Sequence, residues 1–215
     1  MLNSKAKVQS PKTLGAILLA AGRSERMGAF KPLLPFGKKT VVEACINYLR
    51  EGGIGNIVVV VGHRPDDMRE QLKTSSLSFA INPDPRSEMS ASIACGVLQL
   101  PETTPATLIA LVDHPAIPVS VVTALRMEWE KGARLVVPTW EKRGGHPVLV
   151  DLSLRRELLT LDPARGLKGL FDRHHAEVRR VPVESPYIAR DMDTWDDYSA
   201  LYEDVFGAEP PQSGP

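Results

Sequence analysis

Residues 14–20, Leu-Gly-Ala-Ile-Leu-Leu-Ala, carry no polar side chain and run straight into a stretch rich in Gly, Ser and Arg. A run this short and this uniformly apolar reads as a β-strand buried on both faces, as in the interior of a parallel sheet. Residues 57–61, Ile-Val-Val-Val-Val, are a second such strand, because β-branched side chains suit the pleated sheet. Further strands are expected over 78–81, 107–112, 134–137 and 178–183. Between them the apolar spacing becomes helical. One helix begins after Thr40, with Glu43 completing a capping box, and is stopped by Gly52 and Gly53. Others are expected over 65–72, 89–100, 119–131, 152–161, 166–174 and 194–206. Strands alternating with helices imply parallel pairing, right-handed crossovers and a three-layer α/β sandwich. Residues 139–150 interrupt the alternation with Glu141-Lys142-Arg143-Gly144-Gly145-His146-Pro147, which reads as a hairpin-like insertion or an antiparallel strand.

A chain of 215 residues that is 43% hydrophobic suits one domain. The domain is expected over 14–206, between flexible tails at 1–13 and 207–215. Lys and Arg number 26 and so do Asp and Glu, so the formal net charge is +0. No global field is available to hold nucleic acid or an anionic membrane, and a charged ligand must be gripped locally. Cys45 and Cys95 form no C-x-x-C pair and are expected as packing groups in a reducing compartment. The first twelve residues contain no apolar stretch and no small-residue cleavage site, and no run approaches the roughly 20 apolar residues of a spanning helix. The expectation is a soluble, cytoplasmic protein without a signal peptide.

Ligands of open α/β sheets bind beyond the carboxyl ends of the strands, so the loop after the first strand matters most. It reads Ala20-Ala21-Gly22-Arg23-Ser24-Glu25-Arg26-Met27-Gly28, then Ala29-Phe30-Lys31-Pro32-Leu33-Leu34. Gly22 and Gly28 permit tight turns with amide N–H groups facing a ligand, and Arg23, Arg26 and Lys31 supply cations. In chemical terms this is a phosphate cradle. It is neither the G-x-x-x-x-G-K-[ST] of P-loop ATPases nor the G-x-G-x-x-G of nicotinamide dehydrogenases. No Cys or His set has zinc spacing.

Leu-Ala-Ala-Gly-Arg-Ser-x-Arg-Met-Gly followed by Lys-Pro-Leu-Leu-Pro, from Leu19 to Pro35, resembles the MobA-like nucleotidyltransferases, and most of all their molybdenum cofactor cytidylyltransferases. The resemblance continues through Asn82-Pro83-Asp84 with Met89-Ser90-Ala91-Ser92, then Val112-Asp113-His114-Pro115 and Gly145-His146-Pro147-Val148-Leu149. Gly166-Leu167-Lys168 and Asp191-Met192-Asp193-Thr194-Trp195 complete it. The fold it implies is a Rossmann-like α/β/α sandwich with a mostly parallel sheet, as in nucleotide-diphospho-sugar transferases.

The resemblance implies transfer of CMP from CTP to the phosphate of molybdopterin cofactor, with Mg²⁺ as cofactor. A molybdenum enzyme or its chaperone is an implied partner. Other phosphorylated acceptors, or a non-catalytic cofactor-delivery protein, are the alternatives. Arg23 and Lys31 are implied to hold the triphosphate and to stabilise the charge developing at the α-phosphorus, with help from the Gly22 and Ser24 amides; Asp113, catalytic with them, and Asp193 are implied to bind the metal. For Asp113 the competing reading is the cap of the following helix, and for Asp193 the cap of the last one. Leu19, Ala20, Ala21, Asn82, Ser90 and Ser92 are implied to line the nucleotide pocket, with Ala21 in the form typical of cytidylyl transfer. Arg143, His146 and Lys168 are implied on the acceptor side. Glu88, before Met89, departs from the family pattern by adding an anion near that pocket.

Overall fold

The computed structural model describes residues 13–22, 26–84 and 87–211. Strand β1 (Gly15–Ala20) leads through the first loop to a two-stranded antiparallel hairpin, β2 (Pro35–Phe36) and β3 (Lys39–Thr40), and to helix α1 (Val41–Glu51). The Glu43 carboxylate accepts from the Thr40 N–H at 2.7 Å and its hydroxyl at 2.8 Å, a cap worth about 1 kcal/mol. The alternation continues through β4 (Asn56–Val61), α2 (Pro65–Gln71), β5 (Ser78–Ile81), α3 (Met89–Gln99), β6 (Ala106–Leu111) and α4 (Val119–Glu130). Then come β7 (Leu135–Trp140), β8 (Arg143–Gly144), β9 (Val148–Asp151), α5 (Arg155–Leu159), α6 (Gly166–Arg173), β10 (Val178–Pro182) and α7 (Trp195–Phe206).

One sheet of eight strands runs β10-β7-β9-β6-β1-β4-β5, with β8 paired to β7. Pairing is parallel except at β8 and at β9, which is antiparallel to both β6 and β7. The two-residue strand period sorts the core into two layers. Ala16, Leu18 and Ala20 of β1 face α1, α2 and α4, together with Val59 and Val61 of β4. Ile17 and Leu19 face α3, α5 and α6, together with Val58 and Val60. This is the expected three-layer α/β/α arrangement. Among the described residues no helix is long and apolar enough to cross a membrane.

Residues 139–150 contain both forms read from the sequence. β7 runs three residues beyond the expected 137 because β8 and β10 pair with its outer half. The β7–β8 turn is Glu141-Lys142, with φ of 46° and 69°, the sign that a two-residue type I′ connection demands. The β2–β3 hairpin was absent from the sequence reading, and so was the split of 152–161 into a 3₁₀ turn, Leu152–Leu154, and α5. Of the expected tails, residues 1–12 and 212–215 lie outside the described residues.

A short strap, the 3₁₀ turn Pro186–Ala189 and the chain up to Asp193, connects β10 to α7. Gly145 passes so close to it that a Cβ there would lie 2.1 Å from the Ile188 carbonyl oxygen. The His146 N–H donates to that oxygen at 2.8 Å. Since the obstacle is backbone, Gly145→Ala is expected to lower stability by about 2 kcal/mol or more. A urea midpoint equal to wild type would show that the strap moves aside freely.

Candidate active site

Because β1 and β6 are adjacent, the loops that leave their carboxyl ends meet. Lys31 opens the 3₁₀ turn Lys31–Leu33, whose Pro32 fixes the backbone just after it. Its side chain is 8% exposed. An ammonium sheltered to this degree needs anions beside it. Nζ lies 2.9 Å from Asp193 Oδ1 and 3.9 Å from Asp113 Oδ2. The other oxygen of Asp193 accepts from Arg26 Nη2 at 2.5 Å.

Neither carboxylate is spent on capping. The cap of α4 is Pro118, five residues past Asp113. The cap of α7 is Thr194, whose hydroxyl and N–H donate to Asp197 at 2.7 and 2.8 Å, which leaves the Asp193 side chain to the cations. Asp113 follows β6 directly, and the Val112 N–H still donates to Leu19 O of β1 at 3.1 Å. Burial raises the Asp113 carboxyl above its usual range, aided by the Asp193 charge and opposed by His114 and Lys31. Burial would also raise Asp193, but Lys31 and Arg26 outweigh it and hold that group low.

Two carboxylates on one ammonium form a hard-oxygen pair suited to Mg²⁺ or Mn²⁺, which take one or two carboxylates and complete the shell with phosphate and water. Asp113 Oδ1 is buried without a hydrogen-bond partner, with His114 Nε2 3.7 Å away, beyond hydrogen-bond reach, and such an atom suits a ligand to a cation. Among the described residues no cluster of three or more His, Cys, Asp and Glu is set to hold an ion, so the pair fits a metal whose other ligands come from substrate.

Leu19 and Ala20 are buried at the end of β1. Ala21 packs against Gly62 after β4, where an added Cβ would lie 3.3 Å from the Ala21 methyl. At Gly22 a Cβ would meet no atom of the described residues within 4 Å. Arg23 and Ser24 lie outside the described residues. Asn82 is buried and braces its own loop, donating to Ser92 Oγ at 2.8 Å and Ser87 Oγ at 2.9 Å. Ser90 is buried in the first turn of α3, whose cap is Glu88.

On the other flank, His146 is half-buried with its ring 6.0 Å from that of His114, while Arg143 is exposed on β8. Lys168 stands apart: its side chain is 83% exposed on α6 and pairs with Asp172, and no contact among the described residues joins it to Lys31, Asp113 or Asp193. Sequence reasoning gave no role to His114, which is buried beside Asp113 and reaches Tyr187 O with Nδ1 at 3.2 Å. Its adjacency to Asp113 was the available signal. Arg26 was counted among the loop cations, yet its bond to Asp193 makes it the exposed half of the carboxylate's clamp.

Burial pushes His146 down to about 4, with the bond to Ile109 O opposing and nearby His114 assisting. The unfolded chain takes up that proton near 6.5, the folded one near 4. Its contribution to stability is therefore full above pH 6.5 and lost as pH falls towards 4, by at most about 3 kcal/mol. His146→Gln should shrink the loss of urea midpoint between neutral and mildly acidic pH. An equal loss in both proteins would show that His146 is not held neutral.

Residues 16–178 match the MobA-like NTP transferase domain. The bifunctional IPC transferase and DIPP synthase of Rubrobacter xylanophilus is 38% identical over 121 residues, 54% of this chain, and the match spans 27% of that protein's length. Nicotine blue oxidoreductase of Paenarthrobacter nicotinovorans is 30% identical over 147 residues, 65% of this chain and 71% of that protein. Molybdenum cofactor cytidylyltransferase of Escherichia coli is 24% identical over 194 residues, 88% of this chain and 96% of that protein. Among solved structures, the homologue of Mycobacterium tuberculosis Rv0371c from Mycobacterium sp. strain JC1 superposes with a TM-score of 0.78 at 28% identity, over 89% of this chain and 96% of that one. With three quarters of its length inside the family's domain and the family's fold around the clustered Lys31, Asp113 and Asp193, the chain belongs to the MobA-like NTP transferases.

Proposed function

We propose that this chain is a Mg²⁺-dependent nucleotidyltransferase that moves CMP from CTP to the phosphate of molybdopterin cofactor and releases pyrophosphate. The observation that carries the reading is the sheltered Lys31 ammonium between Asp113 and Asp193, beyond the carboxyl ends of β1 and β6. An oxygen of the acceptor phosphate attacks the α-phosphorus as the bond to the β-phosphate oxygen breaks, and the electron pair leaves with pyrophosphate. Catalysis of such a step is chiefly positioning and charge stabilisation.

Lys31 meets the charge that develops at the α-phosphoryl group, and Arg26 and Arg23 neutralise the outer phosphates. The Gly22 and Ser24 amides assist them. Asp113 and Asp193 hold the divalent ion, which when bound supplies Lewis-acid polarisation of the phosphoryl oxygens. Ala21, backed by Gly62, narrows the floor under the base and favours a pyrimidine. The Asn82–Ser92 bond holds the nucleotide-side loop, and Ser90 lies beside it in α3. Arg143 and a neutral His146 face the acceptor, while the charge of Lys168 is shared with Asp172. Residues 14–206 work as one such domain in the cytoplasm.

Support for the acceptor is the near full-length match to the E. coli cytidylyltransferase. A second reading, transfer to another phosphorylated acceptor, is favoured by the higher identity of the shorter match to the IPC transferase, 38% against 24%. Redox chemistry, named for one relative, finds no dinucleotide-binding glycine pattern in the first loop.

The test is pyrophosphate release across the four NTPs with Mg²⁺, with molybdopterin cofactor and sugar or polyol phosphates as acceptors. Turnover is expected with CTP and molybdopterin cofactor; turnover only with another pair overturns the acceptor, and none with any pair overturns the activity. Lys31→Ala is expected to lower turnover by about 10²–10³-fold. Asp113→Asn should lower it by a similar factor while leaving the urea midpoint unchanged or higher, because burial already disfavours the ionised form. A lowered midpoint with near-normal turnover would reverse both assignments.

A further inference from the structure

We infer that His114 is a positioning residue that sets the separation of the two metal carboxylates by holding the strap on which Asp193 rides. The inference rests on the proposed role of Asp113 and Asp193 as metal ligands. His114 is 6% exposed, next in sequence to Asp113, and its own backbone is fixed by N–H donation to Leu111 O at 3.3 Å. Its ring Nδ1 lies 3.2 Å from the carbonyl oxygen of Tyr187. A carbonyl can only accept, so Nδ1 is the donor. The next carbonyl of the strap, that of Ile188, accepts from the His146 N–H at 2.8 Å. Ile188 itself is fully buried, so this end of the strap is pinned by two hydrogen bonds and a core side chain.

The strap is tied to the last helix as well. Tyr187 Oη donates to Asp204 of α7 at 3.0 Å, Arg190 donates to the same oxygen at 2.7 Å, and Thr194 starts α7 immediately after Asp193. Between these anchors Met192 is buried, which leaves the intervening chain little slack. Asp113 is fixed by β6 and Asp193 by the strap; Lys31 joins the two carboxylates in front, and behind them the His114 ring ties the two bodies, with Nδ1 on Tyr187 O and Nε2 3.7 Å from Asp113 Oδ1. A hydrogen bond one shell behind metal ligands orients them, and its loss characteristically weakens metal binding about 10- to 100-fold. Sequence patterns do not disclose this link, because the acceptor is a main-chain oxygen.

The test uses the full chain without nucleotide, titrated with Mn²⁺ and followed by calorimetry and by the electron paramagnetic resonance of the free ion. His114→Phe, which fills the space without a donor, should weaken Mn²⁺ binding by about tenfold or more. It should raise the Mg²⁺ concentration for half-maximal pyrophosphate release while leaving the KM for CTP at saturating Mg²⁺ near that of wild type. His114→Asn, whose amide nitrogen can stand near the position of Nδ1, should restore most of the affinity. Urea midpoints identify a variant that fails to fold, and His114→Ala, which adds no bulk, then replaces His114→Phe. Wild-type Mn²⁺ affinity in His114→Phe or His114→Ala, with affinity lost in Asp113→Asn and Asp193→Asn, overturns the positioning role and leaves the metal site standing. Unchanged affinity in both Asp variants, or no binding by wild type at millimolar Mn²⁺, overturns the metal reading and the inference with it.

Discussion

An ammonium removed from water must find anions, and the demand of Lys31 for them shapes the carboxyl edge of the sheet. Its partners come from different parts of the chain, Asp113 from the end of β6 and Asp193 from the strap before α7. Bringing Asp193 there engages structure with no other evident purpose. The β2–β3 hairpin, which follows Lys31 closely, receives α7 through the Tyr198 hydroxyl on Pro35 O at 2.6 Å and through Phe36 against Phe206 with ring centres 4.9 Å apart. Gly37, with φ of 65°, holds the hairpin turn under the Phe206 ring, where an added Cβ would lie 2.8 Å from the ring. The last helix is thus fastened to the element that follows Lys31, and the lysine and its second carboxylate are positioned by one packing unit.

The two carboxylates do not share Lys31 equally. Asp193 has a cation on each oxygen and is held below its usual range despite burial. Asp113 has the lysine at longer range, a buried oxygen with no hydrogen-bond partner, and a carboxyl raised by burial. Nothing beneath it relieves this. Cys45 and Tyr48 are both fully buried near Asp113, and desolvation pushes each of them upward, so they remain neutral. The least tightly paired negative charge in this neighbourhood therefore sits on Asp113, and perturbed groups of this kind mark sites where a ligand completes the electrostatics.

The parallel core was legible because its physics is local. Strands such as Ile57–Val61 are apolar at every position, and the Thr40–Glu43 cap lies within a single turn. Their alternation carried the three layers and the strand-end location of the site. The juxtaposition of Asp113 and Asp193 was not readable from residue patterns. It depends on how far the strap carries the chain back across the sheet edge, and only family resemblance suggested it. The β2–β3 hairpin is not legible in the sequence because two-residue strands have no period. Asn82 looked like a pocket residue, and its donation to Ser92 and Ser87 shows a side chain whose first task is to hold its loop. Lys168, a basic residue in a family motif, is exposed on α6 and pairs with Asp172, a local partner four residues on that the motif itself does not announce.

The overall charge of +0 gains a local counterpart at this cluster. Lys31 and Arg26 balance Asp113 and Asp193, so the pocket is electrically closed before any ligand arrives. On the proposed reading, a polyphosphate entering alone would compete with Asp193 for the cations and meet the carboxylates as like charges. A divalent ion entering alone would meet the carboxylates already engaged by Lys31 and Arg26. When both enter, the cations can turn to phosphate and the carboxylates to the ion, and each charge exchanges one partner for another rather than losing one. The two ligands must then favour each other's binding, which is a coupling free energy in the strict sense and by necessity reciprocal. A site paired within itself in this way stays folded without substrate, and it binds most tightly the combination of charges that the proposed reaction requires.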